Sequence, residues 1–313
     1  PRSLHRSHKI RQTTVRTARG PFAALRADPA GGVGDRQAAL LVPGYTGSKE
    51  DFLAVLESLA AAGRRVTAID LRGQYESGPA ADRSGYAIDR LAIDVLALAT
   101  AIAGDSGRVH LLGHSFGGLV ARQAALAEPT AFLSLTLLGS GPSAIGGLRA
   151  RVLHDLLDHL RPAGEDKDLL GTMIAAVWDT QMGPQAEAEG TPPDIMDFLR
   201  RRATGSCPLG LTEMARQLLT CPDLTVDLAT AATTARFPIL VSYGENDDAW
   251  PTDVQDLMAK RLHAERVCIP GAAHSPAVEA PETTAAMLTT FWNHAESQGS
   301  PRAAGRGAVW TEE

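Results

Sequence analysis

Aromatic residues make up only 5% of this 313-residue chain, and cysteine occurs three times. Cys207, Cys221 and Cys268 are an odd number with no close pair, so neither a zinc spacing nor a disulfide framework follows from them. That usage points to a reducing compartment, the cytoplasm. Long apolar runs are missing too. LAIDVLALATAIAG (91–104) is broken by Asp94 and falls short of the ~20 residues a membrane span needs. Acid is absent from the first 20 residues, which hold Arg2, Arg6, Lys9, Arg11, Arg16 and Arg19. The rest of the chain therefore carries −12 against −6 overall, which argues against a nucleic-acid-binding body. The basic opening lacks the apolar stretch of a secretory leader and reads as a solvated arm. Neither H-E-x-x-H nor a Walker loop occurs, so no metal and no organic cofactor is expected.

What is present is a globular composition, 44% hydrophobic and 21% charged, on a chain long enough to bury a full core. Apolar, β-branched segments alternate with longer helical patterns, the mark of a mostly parallel sheet covered by helices. Strands are expected at 38–44, 65–73, 108–113, 131–141, 237–244 and 265–271, with helices between. QTTVRT and FAALRA fit an antiparallel hairpin at the sheet edge. From 141 to 236 strand patterns vanish, and about 95 residues of helix are too long for a simple crossover. The expected organisation is a basic arm over 1–20, a core from 21–140 and 237–296, a helical insertion over 141–236, and a loose tail over 297–313.

The strongest chemical signal is LLGHSFGGL. Gly113-His114-Ser115-Phe116-Gly117 is a G-x-S-x-G pattern between an apolar strand and a helix. A sharp turn there strains the serine backbone, and small residues two positions either side let strand and helix pass closely. The Ser115 oxygen then stands at a helix start, where amides favour negative charge. A serine nucleophile needs a base. Of nine histidines, His5 and His8 lie in the basic arm, and His154 and His159 in the helical insertion. His110 falls inside a strand, His114 beside the serine, and His263 and His294 near helix ends. His274 alone sits in a small-residue loop directly after a strand, PGAAHSPAVEAPE, where such sheets collect their chemistry. An acid to orient it is offered by GENDDAWP, as Asp247 or Asp248. An oxyanion needs two N–H donors; the amides of Phe116 and of Tyr45, after Pro43-Gly44, are the candidates.

With these pieces in order, the chain resembles the capped serine hydrolases of the α/β-hydrolase superfamily, from about Phe22 to His294. GHSFGG resembles the nucleophile elbow and PGYTGS the HG-x-x-G oxyanion loop. AIDLRGQYES resembles the D-x-R-G-x-G-x-S segment, GENDDAWP the acid loop and AAHSPAVEAPE the histidine loop. In that family the acid stands three residues after the strand-ending glycine, which from Gly244 is Asp247. Three departures stand out. Pro43 replaces the usual histidine, Gln74-Tyr75-Glu76 replaces His-Gly-x, and Ser115 stands where dehalogenases and epoxide hydrolases carry aspartate.

The resemblance implies an α/β-hydrolase fold with an inserted helical cap, and hydrolysis of a carboxylic ester, lactone or thioester through an acyl-serine. Ser115, His274 and Asp247 would act as triad, and the expected partner is a small apolar acyl substrate. The same triad also serves C–C bond hydrolysis, perhydrolysis and acyl transfer or cyclisation. A ligand receptor with the same pocket is the alternative outside enzymes. Met173, Trp178, Met182, Met196, Phe198 and Met214 furnish the apolar side chains of the insertion; most read as its core and a minority as pocket lining.

Overall fold

The computed structural model describes residues 1–31, 34, 36–104 and 107–299. Eight strands form one sheet. They are β1 (Ile10–Thr17), β2 (Gly20–Ala27), β3 (Ala39–Val42), β4 (Val66–Ile69), β5 (Val109–His114), β6 (Phe132–Leu138), β7 (Ile239–Gly244) and β8 (Glu265–Ile269). Their spatial order is β1-β2-β4-β3-β5-β6-β7-β8. β1 pairs antiparallel with β2 and β2 with β4, whereas every pair from β4 to β8 is parallel.

Side-chain chemistry follows position in the sheet. β3, β4, β5 and β7 are buried along their whole length, because helices cover both faces. The edge strand β1, IRQTTVRT, is largely exposed and carries charge, which blunts an open edge against further pairing.

Two apolar layers sandwich the sheet. On one face α1 (Leu53–Ala61) and α12 (Pro281–Gly299) pack together, and Leu56, Leu59, Phe291 and Trp292 meet Leu41 and Leu112. On the other, α2 (Ile88–Ile102) and α3 (Phe116–Ala127) pack side by side, bringing Val95, Leu98, Leu119 and Val120 against Leu40, Leu111 and Leu135. α10 (Thr252–Arg261) follows β7, and the one-turn α11 (Pro276–Glu279) precedes α12.

Between β6 and β7 the chain forms only helices: α4 (Gly147–Leu160), α5 (Lys167–Val177), α6 (Gly183–Ala188), α7 (Pro193–Gly205), α8 (Pro208–Thr220) and α9 (Thr225–Ala235), with a π-helical turn at Trp178–Met182. Most of the large apolar side chains there pack inward. Phe198 and Met214 are 3% and 1% exposed, and Met173 packs near Leu160, Ala163 and Leu170. Met182 is exposed, as are Leu148, Val152, Leu169 and Val226.

Two expected boundaries move. Residues 10–17 belong to the sheet as β1, paired with β2 in the expected edge hairpin, so the stretch read as a basic arm ends before Ile10; Arg11 and Arg16 are exposed on this edge strand. At the other end α12 runs on to Gly299, and the remainder of the expected tail, 300–313, lies outside the described residues.

Candidate active site

The carboxyl ends of four parallel strands bring the chemistry together. β3 runs into Pro43-Gly44-Tyr45, β5 into Ser115, β7 into Asp247 and β8 into His274. Such strand ends open into a crevice while the sheet behind them stays rigid.

Ser115 occupies the turn between β5 and α3 with φ 52° and ψ −119°, a conformation that L-residues avoid. The surroundings enforce it. A Cβ on Gly113 would lie 2.2 Å from the Gly117 carbonyl oxygen, and one on Gly117 would lie 2.4 Å from that of Pro43. Only glycine lets β5, α3 and the end of β3 approach this closely. The Ser115 N–H donates to the Leu138 carbonyl at 2.9 Å, tying the turn to β6.

Ser115 Oγ lies 2.9 Å from His274 Nε2, and His274 Nδ1 lies 2.9 Å from Asp247 Oδ1. A carboxylate only accepts, so Nδ1 carries the proton and Nε2 presents its lone pair to the serine hydroxyl. Burial pushes the Asp247 carboxyl upward, but hydrogen bonding to His274 and its charge outweigh that and hold it below the usual carboxylate range. Asp247 also accepts from the Ala249 N–H at 2.9 Å and from Gln255 Nε2 at 3.1 Å. Asp248 points away, exposed, and pairs with Arg149 of α4 at 2.7 Å. The structure thus brings Ser115, His274 and Asp247 together and leaves Asp248 outside; it caps no helix, since α10 begins after Pro251.

Several supporting side chains were invisible in the sequence. His114 donates from Nε2 to the His274 carbonyl at 2.8 Å, and its ring lies 5.0 Å from that of His274. Burial, reinforced by the neighbouring His274, pushes His114 down to about 4, so it remains neutral beside the base at neutral pH. Gln255 is wholly buried and also donates to the Trp250 carbonyl at 3.0 Å, locking the acid loop. The Trp250 indole donates to the Ser143 carbonyl at 3.1 Å. Adjacency to the serine was the only available signal for His114. For Gln255, eight residues beyond the acid on a helix, there was none.

Tyr45 is half-buried, and Phe116 forms the first turn of α3 directly after Ser115. The Pro43 carbonyl, not its ring, faces Gly117. Tyr75 fills a position where the resembling segment carries glycine, and it adopts φ 36°. Its N–H donates to Ser206 Oγ at 3.0 Å, its ring meets Phe198 edge-on at 5.7 Å, and Lys49 Nζ lies 4.9 Å from the ring centre. These contacts hold a strained tyrosine between sheet loop and inserted helices. The cysteines take no part: Cys207 lies by the Tyr86 hydroxyl, Cys221 is buried and Cys268 is exposed on β8. Among the described residues no group of three His, Cys, Asp or Glu side chains is set to hold a metal ion.

A mostly parallel sheet with a serine on a strained strand-to-helix turn after β5, an aspartate after β7 and a histidine after β8 is the arrangement of an α/β-hydrolase. A family model described as the alpha/beta hydrolase family matches residues 39–287, and the chain belongs to that family of hydrolases. Among curated relatives, it is 44% identical over 109 residues, 35% of its length, to the protein named Putative carbamate hydrolase RutD of Variovorax paradoxus. Over 266 residues, 83% of this chain and 94% of the relative, it is 30% identical to a pimeloyl-[acyl-carrier protein] methyl ester esterase of Edwardsiella ictaluri. A third relative, the dihydrolipoyllysine-residue acetyltransferase component of the acetoin cleaving system of Pseudomonas putida, is 30% identical over 80% of this chain. The chain spans 40% of the length of the first relative and 62% of the third.

Two solved structures show the same fold. The enol-lactonase from Burkholderia xenovorans superposes with a TM-score of 0.66 at 19% identity, covering 90% of this chain and 100% of that one. A thermophilic esterase from Thermogutta terrifontis gives 0.64 at 20%, covering 91% and 99%.

Proposed function

We propose that the protein is a serine hydrolase that cleaves a carboxylic ester, lactone or thioester through an acyl-Ser115 intermediate. The observation that carries this reading is the pair of 2.9 Å contacts from Ser115 Oγ through His274 to Asp247. His274 Nε2 takes the serine proton as Oγ attacks the carbonyl carbon. Asp247 stabilises the imidazolium and keeps the ring in the working tautomer. The amides of Tyr45 and Phe116 receive the developing oxyanion. His274 then protonates the leaving group and afterwards activates water to release the acid.

The helices over 141–236 act as a cap in this reading. Ser115 is 7% exposed, and Tyr45 packs against the cluster holding Ile145, Leu209 and Met214, which favours a small substrate with an apolar acyl group. Relatives named as methyl ester esterases support ester cleavage. A fluorophosphonate probe should label the protein once, at Ser115. Ser115→Ala should lose both labelling and at least roughly three orders of magnitude of ester turnover. Labelling or turnover that persists in the alanine protein would remove this mechanism.

A further inference from the structure

Gln74 lies outside the reacting groups, on the turn after β4, yet its side chain is wholly buried and reaches the oxyanion loop. Its Nε2 donates to the Gly44 carbonyl at 2.8 Å, and its Oε1 accepts the Leu71 N–H at 3.0 Å. A carbonyl only accepts and an N–H only donates, so these partners fix which way round the carboxamide sits. The turn that carries it is rigid. The Gln74 N–H donates to the Leu71 carbonyl at 2.9 Å, the Ser77 N–H to the Gln74 carbonyl at 2.8 Å, and Ser77 Oγ to the Asp70 carbonyl at 2.9 Å.

We propose that Gln74 is a positioning residue of the oxyanion hole: by holding the Gly44 carbonyl it aims the Tyr45 N–H at the reacting carbonyl oxygen. The inference rests on the serine-hydrolase reading above. In a trans peptide the C=O and N–H of one unit point in opposite directions, and the described residues contain no cis bond. A Gly44 carbonyl drawn toward Gln74 therefore turns the Tyr45 N–H to the other side. Gly44 stands beside the nucleophile: a Cβ there would lie 3.1 Å from Ser115 Cβ and 3.2 Å from His114 Nδ1.

The Gly47 N–H also donates to the Gly44 oxygen, at 3.1 Å, from within the loop. Gln74 supplies the second hold, from outside. Thr46, a β-branched residue, is held at a positive φ of 56°, a conformation its own local preference disfavours, so contacts such as these keep the loop in place. Removing the outer hold leaves the Gly47 contact to resist rotation of the Gly44–Tyr45 peptide, which is loosened as a result.

The test replaces Gln74 with methionine, which keeps the length of the side chain and loses the donor. A matched ester and thionoester are compared, because sulfur accepts hydrogen bonds poorly and gains little from an oxyanion hole. Loss of one oxyanion donor costs about 10²–10³ in kcat, so misdirecting one should cost about 10- to 100-fold on the ester. KM should stay within about twofold, and the ester-to-thionoester rate ratio should shrink. Should Gln74→Met not fold, Gln74→Asn carries the same expectation, since it draws the amide back by one methylene. Equal losses on both substrates would assign Gln74 a purely structural role and overturn the inference. Unchanged kcat in an enzyme that still depends on Ser115 would overturn it while leaving the serine mechanism intact. Full turnover by Ser115→Ala would instead overturn the mechanism, and this inference with it.

Discussion

Asp247 and Asp248 carry the same side chain and occupy opposite environments. Asp247 accepts hydrogen bonds from His274, Ala249 and Gln255, whereas Asp248 is exposed and pairs with Arg149. Asp247→Asn should fold normally and lose about four orders of magnitude in kcat, because an amide favours the wrong imidazole tautomer. Asp248→Asn should lower kcat by no more than about twofold and stability by less than about 1 kcal/mol, the scale of an exposed ion pair. Steady-state kinetics and thermal melts on the two proteins check both statements. Ser115, Asp247 and His274 were legible as residues because each sits at a strand end in a short, recognisable pattern. His114, Gln255 and Gln74 were not, because their work is done by contacts to backbone far away in sequence. Gln74 and Gly44 are joined only once β3 and β4 lie side by side.

At the scale of elements, the close passage of β5, α3 and β3 holds the serine turn. Gly117→Ala would push a methyl group to 2.4 Å from the Pro43 carbonyl oxygen and 2.6 Å from that of Val42, both backbone atoms. Strand and helix would have to separate, so a stability loss of about 1–3 kcal/mol or more is expected, with activity falling further as Ser115 shifts. Gly146→Ala has open space and a negative φ, and should change neither property. Denaturant midpoints for the pair make the comparison; equal midpoints would contradict this packing account. The strands themselves were plain in the sequence, since buried parallel strands read as apolar runs such as ALLV. Residues 12–17 read two ways in the sequence, as part of a basic arm and as the first strand of an edge hairpin, because a charged edge strand shares its composition with a solvated arm; pairing with β2 distinguishes them.

Across the whole molecule, titration couples stability to acid in two windows. Burial pushes His110 and His114 from 6.5 down to about 4, so the unfolded chain binds protons first as pH falls. Stability they protect is complete above pH 6.5 and is lost on the way down to about 4. Burial acts the other way on Glu296 and Asp28, but hydrogen bonds to His110 and Arg64 and to Arg26, Arg65 and Arg11 hold both at about 2. Their contribution is lost lower, as pH falls from the ordinary carboxylate range to about 2. Urea midpoints should therefore decline from pH 7 to 4 and again below 4. His110→Gln should flatten the first decline; a level profile between pH 7 and 4 would contradict the assignment. Helices inserted between β6 and β7 are tied to the sheet loops by Arg202–Asp51 at 2.7 Å, Arg149–Asp248 at 2.7 Å and the Tyr75–Phe198 contact. No sequence pattern announces such ties, because each partner alone is an ordinary surface charge or core aromatic.

An acyl group carried on Ser115 during turnover has a definite mass and can be seen by mass spectrometry. Asp247→Asn slows both chemical steps; mixing it with an activated ester and quenching in acid should trap the intermediate. The trapped protein should carry one added acyl group, on the peptide that contains Ser115. Acyl label on any other peptide, or steady hydrolysis by the wild-type protein with no adduct at Ser115 under any quench time, would contradict the acyl-Ser115 mechanism.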